Sequence, residues 1–212
     1  MVLYIILWSL FTLLVQFSEG FHHKFVPPRQ GRGRRIPHPF GRHRIEGTWI
    51  TSERVTNWGD WGEESFCPVG SFAIGLRVKY EEFWQDDDTA INGIGLNCAF
   101  PSKIGPNGIW EECRCPASPF EAVIGHRLCV LETQGAMDDV SAYGLYIICE
   151  KTGLHRCVRE IDFGECSPEV VCPEEYPRIC GIQTQVEDNQ WWLLDQTSLN
   201  NVDFYCCKGD TL

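Results

Sequence analysis

Carboxylate and aromatic side chains recur together in this sequence. Asp87, Asp139 and Asp195 each stand two residues before a serine or threonine. Carboxylates accept hydrogen bonds from sugar hydroxyls, and indole rings stack on the faces of sugar rings. The candidate glycan-binding residues are therefore Trp84, Asp87, Asp139, Trp191, Trp192 and Asp195. A structural role is the alternative, because an aspartate can accept a hydrogen bond from the backbone two residues on and form a turn before a strand.

Catalytic residue types are present, but their spacing matches no familiar catalytic motif. The chain contains no Gly-x-Ser-x-Gly, no His-Glu-x-x-His and no phosphate-binding loop. Glycoside chemistry needs two carboxylates roughly 5–10 Å apart. Abundant glutamates could supply them, including Glu63, Glu64, Glu81, Glu82, Glu111 and Glu112. His126 stands alone within an expected strand, as structural histidines often do. We expect no cofactor and no metal site, and the sequence leans away from an enzyme without excluding one.

These residues belong to a pattern that occurs three times, about fifty residues apart. Each copy opens on Cys-Pro and continues through two apolar residues and a glycine. An acidic box follows, which is the six-residue stretch that begins at Asp87, Asp139 or Asp195, and the copy closes on cysteine. The copies span residues 67–98, 115–149 and 172–207. A fixed period of this length indicates one supersecondary unit used three times. We therefore expect an approximate threefold axis.

Each copy has the pattern of β-strands. In residues 76–80 apolar and charged side chains alternate, which is typical of a half-buried strand. No stretch of a dozen residues has a convincing helical period. We predict an all-β domain in which a short strand after each Cys-Pro is followed by two longer strands. Gly75, Gly125 and Gly181 are expected to allow close strand packing or a bulge.

Twelve cysteines, an even number, predict a disulfide framework rather than metal sites. The repeat alignment pairs Cys67 with Cys98 and Cys115 with Cys149. In the third copy, repeat position pairs Cys172 with Cys206 and Cys180 with Cys207, whereas the strand faces favour the crossed arrangement. Four further cysteines are expected to pair among themselves, and the two closest in sequence are Cys157 and Cys166. These four are Cys113, Cys129, Cys157 and Cys166.

The amino terminus has the composition of a secretory signal. Val2–Phe17 is a nearly unbroken apolar run, and Ser18-Glu19-Gly20 follows it. The run is short of the roughly 20 residues that cross a bilayer. We predict a signal peptide over residues 1–20 and a secreted, extracellular protein with no membrane span. A signal anchor is the alternative.

Residues 21–46 form a basic tail. From Phe21 to Ile45 there are seven Lys or Arg, four His and no acid, whereas the chain from Glu46 onward has 28 acids and 11 bases. We expect this tail to be disordered, because it cannot bury a core. Three interpretations of the tail remain open. It is an inert leader, or it is an arm that binds anionic surfaces, glycans or acidic matrix proteins. The third interpretation is a segment that is cleaved off after Arg34-Arg35. Nucleic acid is not an expected partner.

Several motifs together resemble the vitelline membrane outer layer protein family. They are Trp58-Gly59-Asp60-Trp61, Cys67-Pro68, residues 87–94, residues 179–184 and Phe204-Tyr205-Cys206-Cys207. The resemblance spans residues 47–207, which we take as the domain, and residues 208–212 remain as a C-terminal tail. It implies a β-prism of three antiparallel sheets around a pseudo-threefold axis. The third copy departs from the family pattern, because Gly164-Glu165-Cys166 stands where the family tends to have Gly-Asp-Trp.

The same resemblance implies a function. The family occurs in egg coats and other secretions, and binding or transfer of N-acetylchitooligosaccharides is associated with it. We therefore expect a secreted structural or binding protein of an egg-coat, secretion or matrix layer, contacting glycans or matrix glycoproteins. The alternative is a carbohydrate-active enzyme of the N-acetylchitooligosaccharide transglycosylase type. An enzyme should bring two carboxylates together in a groove lined by aromatics, whereas a structural protein should spread its acids over its surface.

Overall fold

All regular structure that the computed structural model describes is antiparallel β-sheet. The described residues are 36–37, 44–81, 89–98, 105, 108–117, 120–132, 141–158, 166–187 and 198–208. Within these ranges no helix is present, so none could cross a membrane. The prediction of an all-β protein is confirmed.

The strands of these ranges are short at the amino terminus and longest at the carboxyl terminus. They are β1 (Ile36–Pro37), β2 (Arg44–Ile45), β3 (Gly47–Thr51), β4 (Asp60–Trp61), β5 (Ser65–Phe66), β6 (Gly75–Tyr80), β7 (Ile91–Leu96), β8 (Ile109–Arg114), β9 (Val123–Val130), β10 (Ala142–Cys149), β11 (Gly153–Arg156), β12 (Val170–Val171), β13 (Arg178–Val186) and β14 (Leu199–Cys207). The β1–β2 pair lies within the basic tail.

Three sheets are each built on one hairpin from one copy of the repeat. The first copy supplies β6–β7 to a sheet of order β7-β6-β8. The second supplies β9–β10 to the sheet β11-β10-β9-β12. The third supplies β13–β14 to the sheet β3-β14-β13-β4, in which β5 also pairs with β13. Each copy therefore supplies one antiparallel hairpin, which is consistent with the threefold repeat that the sequence period indicates.

A strand precedes each Cys-Pro and pairs with the hairpin of the preceding copy. β8 pairs with β6 of the first copy, and β12 pairs with β9 of the second. β5 pairs with β13 of the third copy, so the chain closes on itself. The expected position of this strand, after Cys-Pro, was wrong. The proline has no N–H with which to extend the ladder, and the pairing ends there.

Equivalent backbone hydrogen bonds extend these three strand pairings at the cysteine of each Cys-Pro. The N–H of Cys67 donates to the carbonyl of Cys180 over 2.8 Å, and the N–H of Cys172 donates to Ile124 over 2.8 Å. The N–H of Cys115 donates to Ile74 over 3.4 Å. These are the same positions in the three copies, an arrangement consistent with the prism that the family resemblance implies.

The segment that leads into the first copy covers the polar outer face of the third. The amide of Gln183 donates to the carbonyl of Gly62 over 2.7 Å, and that of Asn201 donates to Thr56 over 2.7 Å. Arg54 forms an ion pair with Asp203. Polar side chains at these buried positions therefore find partners in the backbone that covers them.

The three hairpins share one apolar interior. β13 contacts β7 and β9, and β14 contacts β7 and β10. Alternate residues of each strand point inward and are fully buried, which is the pattern that the alternation in sequence predicts. They include Leu76, Val78, Ile94, Leu128, Leu145, Ile147, Ile182, Val202 and Phe204.

Three glycines mark the places where strands of different copies approach most closely. A Cβ at Gly75 would overlap the carbonyl of Cys113 on β8, and one at Gly125 would overlap the carbonyl of Val170 on β12. A Cβ at Gly181 would lie 2.6 Å from the Phe66 ring. The expected close packing at these glycines is confirmed.

All twelve cysteines lie in the described ranges and form six disulfides. Cys67 is joined to Cys98 and Cys115 to Cys149, the pairs that the repeat alignment predicts. The third copy also pairs by repeat position. Its bonds are Cys172–Cys206 and Cys180–Cys207, and the crossed arrangement does not occur.

The expected bridge between Cys157 and Cys166 was wrong. The structure instead joins Cys113 to Cys157 and Cys129 to Cys166. Cys157 follows β11 at one edge of its sheet, whereas Cys166 lies beside β9 toward the other edge. Three strand spacings of about 4.8 Å separate those edges, and a disulfide cannot bridge Cα atoms more than about 7 Å apart.

Cys166 occupies the position that a tryptophan holds in the other two copies. It lies opposite Cys129 on β9, as Trp110 lies opposite Lys79 on β6 and Trp61 lies opposite Gln185 on β13. The extra disulfide therefore replaces a cross-strand contact between side chains, and this accounts for the departure from the family pattern at Cys166.

Candidate functional site

The stems of the three hairpin loops meet at one end of the molecule, called here the loop end. These loops join β6 to β7, β9 to β10 and β13 to β14. Their tips, residues 82–88, 133–140 and 188–197, lie outside the described residues. All six candidate glycan-binding residues fall there, so their role stays a prediction. They are Trp84, Asp87, Asp139, Trp191, Trp192 and Asp195. Arg34 and Arg35 also lie outside the described residues.

Buried hydrogen bonds connect the three stems to one another. Ser198 of the third copy donates from Oγ to Asn92 Oδ1 of the first over 2.9 Å. Ser141 of the second copy donates from Oγ to Asn200 Oδ1 of the third over 3.1 Å. All four side chains are at least 98 % buried. The positions of the three stems are therefore coupled by side-chain contacts that water does not reach.

The network continues at both ends. Asn92 Nδ2 donates to Thr89 Oγ1 over 2.7 Å, and the Thr89 hydroxyl donates to Glu81 Oε2 over 2.6 Å. Thr56 Oγ1 lies 2.6 Å from Ser141 Oγ. Thr56 is the donor in this contact, because the hydroxyl hydrogen of Ser141 is already directed to Asn200. Asn200 Nδ2 also donates to the carbonyl of Ser198 over 3.4 Å, so a connected set of polar groups reaches from Thr56 to the partly exposed Glu81.

The second copy lacks one link of this network. Gly144 stands at the position of Asn92 and Asn200 and has no amide to contribute. A Cβ at Gly144 would lie 3.0 Å from Cys129 Cβ, so the space is filled by the Cys129–Cys166 disulfide. The first and third copies have a buried asparagine at this position, whereas in the second copy the Cys129–Cys166 disulfide fills the space.

The sequence contained a partial signal for this network. Asn92 and Asn200 recur at the same box position, and Thr89 and Ser141 both follow an aspartate by two residues. The backbone is also repeated there, because Ala90 and Ser198 occupy equivalent positions with left-handed φ angles of 49° and 52°. The order in which the copies contact one another could not be read from spacing.

A pocket of about 520 Å³ opens beside the stem of the second loop. Its lining consists of Glu53, Val55, Val130, Leu131, Glu132, Cys166 and Ser167. The hydroxyl of Ser167 donates to the carbonyl of Leu128 over 2.9 Å, which fixes that side of the pocket. Glu53 and Glu132 are exposed. Sequence reasoning did not single out either glutamate, since neither belongs to a repeated box.

One serine–histidine pair has the spacing of a nucleophile and its base. Ser52 Oγ lies 2.7 Å from His126 Nε2. Both residues are buried, and among the described residues His126 Nδ1 has no hydrogen-bond partner that could orient the ring. Burial, assisted by the charge of Arg54, lowers the pKa of His126 to about 3. The pair is a core contact that substrate cannot reach, consistent with a structural histidine.

The candidate glutamates are distributed over separate sheets. Glu63 and Glu64 lie between β4 and β5 against the third copy, whereas Glu111 and Glu112 lie on β8 against the first. A hydrogen bond from Arg114 and its charge lower the pKa of Glu112. Glu82 lies outside the described residues. The two carboxylates of the pocket are a different pair, and none of the described lining residues is aromatic.

Glu121 is a buried acid with a structural role. Its carboxylate accepts hydrogen bonds from the backbone N–H of Lys151 over 2.7 Å, Thr152 over 2.8 Å and Ala117 over 3.2 Å. Burial raises its pKa, but these hydrogen bonds outweigh it and hold the pKa below the ordinary value. In the described part of the chain no three His, Cys, Asp or Glu side chains gather as a metal site would need.

Comparison with known proteins agrees with the fold and the repeated boxes. The family model described as Vitelline membrane outer layer protein I matches residues 48–209. The chain belongs to this family. A mouse protein named Vitelline membrane outer layer protein 1 homolog is 31% identical over 187 residues, covering 78% of this chain and 87% of the mouse protein. The human protein of the same name is 31% identical over 171 residues, covering 72% and 79%.

Two of the motifs that carry the resemblance to the vitelline membrane outer layer family lie next to each other in the structure. The family motif Trp58-Gly59-Asp60-Trp61 and the motif at residues 179–184 adjoin in the structure, because Trp61 pairs with Gln185 just beyond the second motif. The shared motifs therefore lie where the first and third copies join. Their positions in one sheet, on β4 and β13, indicate an architectural role.

Proposed function

We propose that this chain is a secreted structural or binding protein of an egg-coat, secretion or matrix layer, and that it contacts glycans or matrix glycoproteins at its loop end. Its family and the names of its mouse and human relatives support an extracellular structural role. Six disulfides support the same compartment, because such bonds persist in oxidising surroundings.

The observation that carries the proposal is the buried network that joins the three loop stems. A loop that is already held in place loses less conformational entropy when it binds. Stacking on one aromatic ring contributes on the order of 1 kcal/mol, so a single loop would bind a neutral sugar weakly. Three loops held at one end can act together, and repeated glycans in a layer add avidity.

The transglycosylase alternative receives little support from the site. Glu53 and Glu132 do line one pocket, but its lining contains no aromatic side chain among the residues that the structure describes. The hydroxyl of Ser167 is engaged with a backbone carbonyl. Binding without chemistry is therefore the function that we propose.

The proposal includes removal of the signal peptide, residues 1–20, and processing of the basic tail after Arg35. Cleavage there would remove five of the seven tail cations and leave Ile36 as the first residue. Amino-terminal sequencing of secreted protein is expected to find Ile36. Finding only Phe21 would exclude the processing step without affecting the binding proposal.

A glycan array tests the binding proposal. The secreted chain, a chain lacking residues 21–46 and the variant Asn200→Gly are compared, the last copying Gly144 and removing one network link. Glu174→Gln, an exposed change at the opposite end, is the control. We expect the control to bind like the parent and Asn200→Gly to bind more weakly. A folded parent chain that binds no glycan on the array would contradict glycan contact.

A further inference from the structure

The pocket beside the second stem carries two carboxylates that no cation of the described residues pairs with. Among the described residues, neither Glu53 nor Glu132 forms an ion pair. Arg54 is the nearest basic residue in sequence, but it is directed away. Its guanidinium pairs with Asp203 and lies 4.8 Å from the Trp61 ring centroid.

The remaining lining of the pocket suits the hydrocarbon part of a basic side chain. Val55, Val130 and Leu131 form an aliphatic wall next to the two carboxylates. Lysine and arginine bury their methylene stems along apolar surface while their charged groups remain at the polar rim. The combination of a wall and two acids therefore selects a cationic, long side chain over a neutral or anionic ligand.

The chain itself contains a segment of this chemistry. Residues 21–35 carry five cations and no acid: Lys24, Arg29, Arg32, Arg34 and Arg35. Three arginines of the described domain already pair with carboxylates at other sites. These are Arg54, Arg114 and Arg178.

The segment is long enough to reach the pocket of its own domain. Ile36 pairs with Ile45 in the β1–β2 hairpin, so the segment ends near the start of β3. The five residues of β3 span about 17 Å, and Glu53 lies two residues beyond the end of that strand. An extended segment of fifteen residues covers up to about 50 Å.

We propose that the pocket formed by Glu53, Val55, Val130, Leu131 and Glu132 binds lysine and arginine side chains of the chain's own segment 21–35. Attachment to the same chain gives the segment a local concentration in the millimolar range, so weak contacts suffice. Removal of the segment frees the pocket for a basic peptide from another protein. This inference does not depend on glycan binding at the loop end.

Zero-length cross-linking tests the contact directly. A carbodiimide joins an amine to a carboxylate, and Lys24 is the only lysine in the segment. The chain beginning at Phe21 is treated at low ionic strength and its peptides are identified by mass spectrometry. We expect Lys24 to be joined to Glu53 or Glu132 within one molecule, and the product to fall at high salt because screening weakens the pairing. Lys24 joined to acids all over the surface would overturn the proposal.

Tryptic cleavage of the tail supplies the second measurement. The double variant Glu53→Gln with Glu132→Gln is compared with Glu174→Gln with Glu175→Gln, which makes the same charge change at exposed residues after Cys172. We expect cleavage after Lys24, Arg29 and Arg32 to be several-fold faster in the pocket variant, and unchanged in the control. Circular dichroism verifies that both variants fold.

Two results would contradict this account of the pocket. Equal cleavage rates in the parent and both variants would show that the tail does not occupy it. Cross-links between two molecules that the pocket variant abolishes would show that a second copy, rather than the same chain, supplies the segment. Analytical ultracentrifugation of the uncross-linked chain distinguishes that case, since occupation by the same chain leaves a monomer.

Discussion

At the scale of single residues, His126 shows how a polar side chain can replace an apolar one in the core. It stands where Leu76 and Ile182 stand in the other copies, and it packs against Phe204 with ring centroids 4.7 Å apart. Its folded-state pKa of about 3 is below the unfolded value of about 6.5. Between those values the unfolded chain binds a proton and the native protein does not, so the contribution of His126 to stability is full above about pH 6.5 and is lost as pH falls.

We predict that His126→Leu removes this acid sensitivity. The parent should lose roughly 1.4 kcal/mol of stability per pH unit below about pH 6.5 because of this group. Guanidinium unfolding at about pH 7 and pH 4.5 measures the difference. His155→Leu, a change at a partly exposed histidine outside the core, should keep the dependence of the parent. An unchanged loss of stability in His126→Leu would show that other groups cause it.

Gly75→Ala should be much more damaging than alanine at an open glycine. The new Cβ would overlap the carbonyl of Cys113 and force β8 away from β6, and we expect a loss on the order of 3 kcal/mol. Gly153→Ala is the comparison, because Gly153 has a φ of 75° but nothing within 4 Å of the new atom. Its cost should be about 1 kcal/mol. Equal unfolding midpoints for the two variants would contradict the close approach of β8.

At the scale of elements, the disulfide pattern follows from the strand pairing between copies. Each strand before a Cys-Pro pairs with the hairpin of the preceding copy. Cys129 and Cys166 reinforce a place where β9 already pairs with β12. Replacing both by serine should lower the free energy of unfolding by about 4 kcal/mol in the chain-entropy model while leaving the fold intact. Non-reduced peptide mapping of the parent should find Cys113–Cys157 and Cys129–Cys166. A peptide joining Cys157 to Cys166 would contradict the strand order of this sheet.

The sequence predicts the elements within a copy better than the contacts between copies. The alternation in residues 76–80 and the matching cysteines gave the hairpins and two of the bridges, because both signals are local. The partner of β5 is β13, more than a hundred residues away, and no spacing within one copy contains that information. Glu53 and Glu132 were missed for the same reason, since the pocket forms where separate segments meet.

At the scale of the whole molecule, the two ends of the hairpins are closed by different means. Each copy has a disulfide at the open end of its hairpin: Cys67–Cys98, Cys115–Cys149 and Cys172–Cys206. At the loop end, asparagine and serine side chains connect the copies instead. This arrangement joins the stems of the three loops at one end, and the proposed glycan contact at that end is the central claim.

Titration with N-acetylglucosamine oligomers tests this claim most directly. Binding is followed by tryptophan fluorescence and calorimetry for the parent, Trp84→Ala and Trp191→Ala. Phe120→Ala removes an aromatic ring that is 78% exposed and lies near the Cys115–Cys149 end, so it is the control. We predict weak, millimolar binding by the parent and the control, and its loss in both tryptophan variants while they remain folded. No fluorescence change and no heat at millimolar sugar, or equal binding by all four proteins, would contradict the claim.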